Sequence, residues 1–153
     1  MFLNSPFVES QAAFSPDGKW LAYRSNESGR FEVYVRPFPG PGGKWQVSPD
    51  GGVWPTWSRN RKELFYRTPD FTLMVAPYAL EGDSFRAEKP RQWSPGLVLG
   101  RGLNTRTFDL HPDGQRFAVL KAAEQQAVEK RDKVVFIQNF FEELRRVAPA
   151  AKP

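Results

Sequence analysis

The side chains able to do chemistry in this chain are few, and their spacing ties them to turns. His111 is the only histidine. As a general base it would need a group to deprotonate. It lies in a Pro-Asp-Gly turn, at a position filled by Ser15 and Ser58 in two related segments, and so reads as a turn residue. Asp17, Asp50 and Asp113 recur at turns. Serial carboxylates bind calcium when further oxygen donors follow at short spacing. Each of these stands alone, so no metal or cofactor is expected. Trp54 and Trp57 flank Pro55. Such a pair can line a channel and stack a ligand, or pack one layer of the fold on the next; both readings stay open. Trp54, Trp57 and His111 are therefore the candidate channel or rim residues, and no catalytic residue is expected.

The turns belong to a repeat. Phe14-Ser15-Pro16-Asp17-Gly18-Lys19-Trp20-Leu21-Ala22-Tyr23 returns as Trp57-Ser58-Arg59-Asn60-Arg61-Lys62-Glu63-Leu64-Phe65-Tyr66, and again as Leu110-His111-Pro112-Asp113-Gly114-Gln115-Arg116-Phe117-Ala118-Val119. Ser15 and Ser58 are 43 residues apart, and Ser58 and His111 are 53 apart. In each copy an apolar residue ends one strand, a tight turn follows, and a second apolar strand begins. Pro16 and Pro112 preset φ, Asp17 and Asp113 bond local backbone, and Gly18 and Gly114 accept positive φ. The second copy substitutes Arg59-Asn60-Arg61; Asn60 tolerates the left-handed region, so a turn is expected to survive there at some cost.

Strands extend around these anchors. Gln11–Ser15, Trp20–Arg24, Phe31–Arg36 and Lys44–Ser48 read as one four-stranded unit, the third strand alternating with period two. Trp54–Ser58, Glu63–Arg67 and Thr72–Pro77 open a second unit, with Gln92-Trp93 in its fourth strand. Leu80 to Gly102 reads as a long loop, either functional or a passive insertion. Thr105–Leu110, Arg116–Lys121 and Lys133–Gln138 make a third unit, with a polar loop from Ala122 to Asp132. Asn139 then caps a short helix with Glu142 at its third position. Its face Phe140, Phe141, Leu144 and Val147 must dock, either as a clamp on the sheets or on a partner.

The resulting division is residues 1–8 as an orphan extended segment, 9–48, 49–104 and 105–138 as three repeat units, and 139–148 as the C-terminal helix. Four-stranded units repeating at roughly 40–45 residues are propeller blades. The fold expected is all-β: a propeller of antiparallel four-stranded blades, about three per chain, half of a six-bladed ring. The first segment would complete the last blade. Two chains would close the ring as a homodimer, with residues near Phe2–Pro6 of one completing the third blade of the other. The alternative is a C-terminal fragment of a longer propeller, with structural meaning only.

Composition agrees and excludes little. Aromatic residues are 14% of the chain, which favours strands. No cysteine is present, so redox chemistry says nothing of the compartment. No apolar run has the length of a membrane span, and the N-terminal residues do not read as a signal peptide. The compartment is left unknown. The net charge of +5 would suit an acidic partner, but Lys and Arg are scattered, and no nucleic-acid module is expected.

The repeated Phe-Ser-Pro-Asp-Gly-x-x-Leu-Ala-Tyr pattern resembles TolB-type propeller repeats, distant relatives of WD-type blades. Residues 14–23 with Glu32-Val33-Tyr34-Val35-Arg36-Pro37-Phe38-Pro39-Gly40, and the ending Asn139-Phe140-Phe141-Glu142-Glu143-Leu144, are similar to the C-terminal propeller half of bacterial eukaryotic-like serine/threonine protein kinases. The chain departs from that pattern at Arg59-Asn60-Arg61 and at His111. The resemblance implies a sensory or protein-interaction module, and an extracytoplasmic location if attached to a membrane-spanning kinase; the ligand expected is a protein, a peptide or a small molecule at a rim or the channel. The resemblance transfers no catalytic residue: the chain has no kinase loops and no Gly-x-Ser-x-Gly elbow.

Overall fold

Trp20-Leu21-Ala22-Tyr23 and Glu63-Leu64-Phe65-Tyr66 have apolar residues on both faces of a strand, so each needs cover on two sides. A stack of sheets supplies it. The computed structural model describes residues 5–94 and 105–120, which form antiparallel sheets with no helix among them. The first sheet runs β1 (Glu9–Phe14), β2 (Trp20–Ser25), β3 (Glu32–Pro37), β4 (Trp45–Gln46), each strand beside its chain neighbour. The second has β5 (Val53–Trp57), β6 (Glu63–Arg67) and β7 (Leu73–Glu81) in order. Two further strands pair with β7. β9 (Arg91–Gln92) lies against Met74 and Val75, while β8 (Ser84–Ala87) lies against Tyr78 to Glu81. β10 (Phe108–Leu110) and β11 (Phe117–Val119) form a third, two-stranded sheet.

The middle sheet feeds two cores, as the alternation of side chains along β6 requires. Leu64 and Tyr66 join Trp20, Ala22, Val33, Val35 and Val47 of the first sheet. Phe65, between them, points the other way and packs with Leu73, Val75 and Phe108, against Phe117 and Val119 of the third sheet. Phe65 and Leu64 are both fully buried.

The stretch from Leu80 onward differs from the expected loop. β7 continues to Glu81, Gly82 takes φ of 59°, and β8 returns with Glu81 opposite Ser84. Glycine at the first central position, with positive φ there and not at Asp83, suits a two-residue hairpin turn of type II′. The hairpin sends Phe85 into the first core, where its ring lies 5.6 Å from Trp20, 6.1 Å from Trp57 and 5.0 Å from Tyr78. Full burial of such a ring is worth about 1.5–3 kcal/mol. The expected fourth strand is present as β9, and the Trp93 N–H extends it by donating to the Leu73 carbonyl at 2.9 Å.

The connection between the first two sheets is pinned by a buried carboxylate. Glu32 accepts from Arg30 Nε at 2.6 Å, from the Gly51 N–H at 2.9 Å and from the Ser48 hydroxyl. Gly52 has no room for a side chain there: a Cβ would meet Ser48 Oγ at 2.5 Å.

Ser5 to Val8 form no strand; the Val8 N–H donates to Asn26 Oδ1 at 2.8 Å. Residues 1–4 and 95–104, the polar loop 122–132, the expected strand 133–138 and the C-terminal helix 139–148 lie outside the described residues.

Candidate binding site at the turn ends of the first strands

The three repeated turns follow β1, β5 and β10, and they share one hydrogen-bond frame. The N–H of the first turn residue meets the carbonyl five residues on: Ser15 to Trp20 at 2.9 Å, Ser58 to Glu63 at 3.0 Å, His111 to Arg116 at 2.8 Å. In the first and third turns the glycine N–H, on Gly18 and Gly114, donates back to Ser15 and His111 at 2.9 Å each. Both glycines have φ of 69°. Asp17 accepts from the Ser15 hydroxyl at 2.5 Å and the Lys19 N–H at 3.2 Å. The Ser15 hydroxyl is the main cause holding its carboxyl below the usual range.

His111 fits the same frame. The Asp113 N–H lies 3.3 Å from His111 Nδ1, and Asp113 accepts from the Gln115 N–H at 2.9 Å and Arg116 Nε at 2.7 Å. The Gln115 N–H first, then the Arg116 side chain, depress the Asp113 carboxyl strongly. The imidazole thus stands near the turn's own backbone and ion pair.

The second turn departs from expectation. Asn60 is not in the left-handed region, and no bond joins the Arg61 N–H to Ser58. Asn60 works through its amide instead: Oδ1 accepts from the Ser58 hydroxyl at 3.2 Å, and Nδ2 donates to the Asp113 carbonyl at 2.7 Å. It couples the second turn to the third. Gly114 sits so close that a Cβ would fall 2.2 Å from Asn60 Oδ1.

The first strands repeat at a finer level. Pairing slips between Ser10 and Ala13 in β1 and between Val53 and Thr56 in β5, the same step 43 residues on. Gln11 and Trp54 take φ of 56° and 59°, a conformation non-glycine residues rarely adopt. These are matched β-bulges, and they interlock: Gln11 Oε1 accepts from the Trp54 N–H at 2.8 Å.

This placement separates the two tryptophans. The bulge at Trp54 breaks the simple alternation of faces, and the two indoles end against different cores, so they form no shared stacking platform. Trp57 lies in the first core, and its Nε1 donates to the Ala13 carbonyl at 2.9 Å. Trp54 packs against the second core. Trp57 and His111 do border a common concavity of about 510 Å³; Trp54 does not. Its lining comes from equivalent points of the three units: Phe14 with Leu110, Thr56 with Asp109, Pro16 with Arg59. These positions were findable from the repeat phase, because they are the last residues of each first strand and the second residue of each turn. Arg106 enters from outside the repeat motif and pairs with Asp109 at 2.5 Å.

A second cleft of about 230 Å³ lies between the first and second turns, bordered by Pro16, Asp17, Arg59, Arg61, Lys62 and Tyr78, among others. Among the described residues no group of three or more His, Cys, Asp or Glu is arranged to hold a metal ion. No described helix is long and apolar enough to cross a membrane. No protein-family model matches the chain, and no curated protein matches it.

Proposed function

We propose that this chain is a non-catalytic binding or scaffold module built as a partial β-propeller, closing a six-bladed ring as a homodimer. It takes a protein or peptide ligand at the turn ends of its inner strands, in a sensing role like that of the propellers in bacterial serine/threonine kinases. The observation carrying this reading is the phase-matched geometry of β1 and β5. The same bulge, the same positive φ and the same turn frame recur at 43 residues, and the turn frame recurs once more 53 residues on. Blades set around an axis need this identity of successive inner strands. It also brings equivalent residues to the edge of one concavity, where ligand groups converge.

A thermal-shift screen with peptides, sugars and metal salts tests the binding role. A ligand that binds the folded state raises the melting temperature in a saturable way, by a few degrees for an excess over its dissociation constant. The expected hits are peptides. A flat response to every class, from a sample that also aggregates, would favour the other reading, in which the chain is a structural part of a longer propeller.

A further inference from the structure

The second turn breaks its own repeat, and every change adds positive charge. Pro16, Asp17 and Gly18 correspond to Arg59, Asn60 and Arg61. The exchange brings in two cations, removes one carboxylate and forfeits the turn bond made by Gly18 and Gly114. Local rules are broken in this way where function demands it.

The cations are also barely compensated: only Lys62 acts on a nearby carboxylate, as the last of several causes that lower Asp17. Arg59, Arg61 and Lys62 are exposed, and none forms an ion pair among the described residues. The carboxylates nearby are already engaged: Asp17 by Ser15 and the Lys19 N–H, Asp109 by Arg106, Asp113 by Arg116. Arg59 borders both concavities, so it joins the cleft between the turns to the larger hollow beside it. Lys62 Nζ stands 5.7 Å from the centre of the Tyr78 ring, on the cleft wall.

We propose that the cleft between the first and second turns binds an acidic peptide, with Arg59, Arg61 and Lys62 receiving its carboxylates. The proposal rests on the binding-module reading above and narrows it to a ligand class. A peptide suits the surroundings better than a nucleic-acid backbone. The cations are gathered on one turn, whereas a phosphate backbone is tracked by a basic groove. The neighbouring hollow presents Phe14, 54% exposed, beside Pro16 and Leu110. Such a floor suits apolar side chains between acidic ones.

The test is fluorescence polarisation with a labelled hexapeptide alternating Glu and Leu, against its Gln-Leu counterpart and a short oligothymidylate. The Glu peptide is expected to bind, more weakly as salt rises, and the Gln peptide not to bind. Arg59→Gln with Arg61→Gln should weaken binding about ten-fold or more, from the loss of charge-assisted contacts. A second variant, Arg59→Pro with Arg61→Gly, restores the repeat's own turn residues. It should melt no lower than the parent and still lose binding, which separates recognition from folding. Equal affinity for the Glu and Gln peptides, unchanged binding in both variants, or tighter binding of the oligothymidylate would each overturn the proposal. The mass of the same sample keeps the two readings apart. A dimer that ignores the Glu peptide refutes the acidic-peptide site alone, and a monomer that binds it refutes the ring alone.

Discussion

All four tyrosines of the chain, Tyr23, Tyr34, Tyr66 and Tyr78, are buried in the sheets. Burial is the first cause raising each phenol above its usual value near 10, and Tyr23 is pushed up to about 12 with help from Glu27 and Glu9. The linkage sign follows. A neutral phenol is favoured in the folded state, so the stability it contributes is present below the unfolded value of about 10 and is lost as pH rises through the folded one. Tyrosinate absorbance should therefore stay low at pH 10 and rise only above it, together with loss of the far-ultraviolet strand signal. Ordinary titration of even one tyrosine near 10, with the fold intact, would show that the buried rows are open to water. Asp17 and Asp113 shift the other way, and their turn contacts weaken only as pH falls below the ordinary carboxylate range.

Among the elements, the β7–β8 hairpin is the part whose role the sequence conceals. Its alternation is short, and Phe85 is one apolar residue among Glu81, Asp83, Ser84 and Arg86. Nothing local says that this ring fills the space between two sheets, because that space is defined by Trp20, Trp45 and Trp57 from far along the chain. Phe85→Ala should cost about 3–5 kcal/mol, as removal of a buried aromatic ring does, measured by urea unfolding. A loss under about 1 kcal/mol would mean that the hairpin sits idly on the edge. The other strands were legible for a physical reason. Turn residues such as Gly18 and Gly114 fix where strands end, and the runs Trp20–Tyr23 and Leu64–Tyr66 fix what must be buried. The concavity was half legible. Of the three candidates Trp57 and His111 border it and Trp54 does not, while Phe14, Thr56 and Leu110 went unnamed although they share the repeat phase. The exchange at Arg59 and Arg61 was visible. The stacking pair failed, since two indoles near in sequence face opposite cores. Asn60 keeps its place in the second turn without using the left-handed region, and its amide also bridges to Asp113, a partner 53 residues away that no local pattern names.

For the whole molecule the question is what the repeated units build. A stack in which the middle sheet is covered on both faces leaves its outer sheets needing cover of their own. A ring answers that need without end blades. The proposed ring takes three blades from each of two chains and seals with the segment before β1, whose residues Ser5 to Val8 pair with no strand among the described residues. Phe7 and Val8 are 44% and 53% exposed in the single chain, as a strand waiting for a partner would be. The most direct measurement is absolute mass by light scattering on a size-exclusion column. The account predicts one sharp species at twice 17.5 kDa, which deletion of Met1 to Pro6 breaks apart. A single well-behaved species at 17.5 kDa would contradict it.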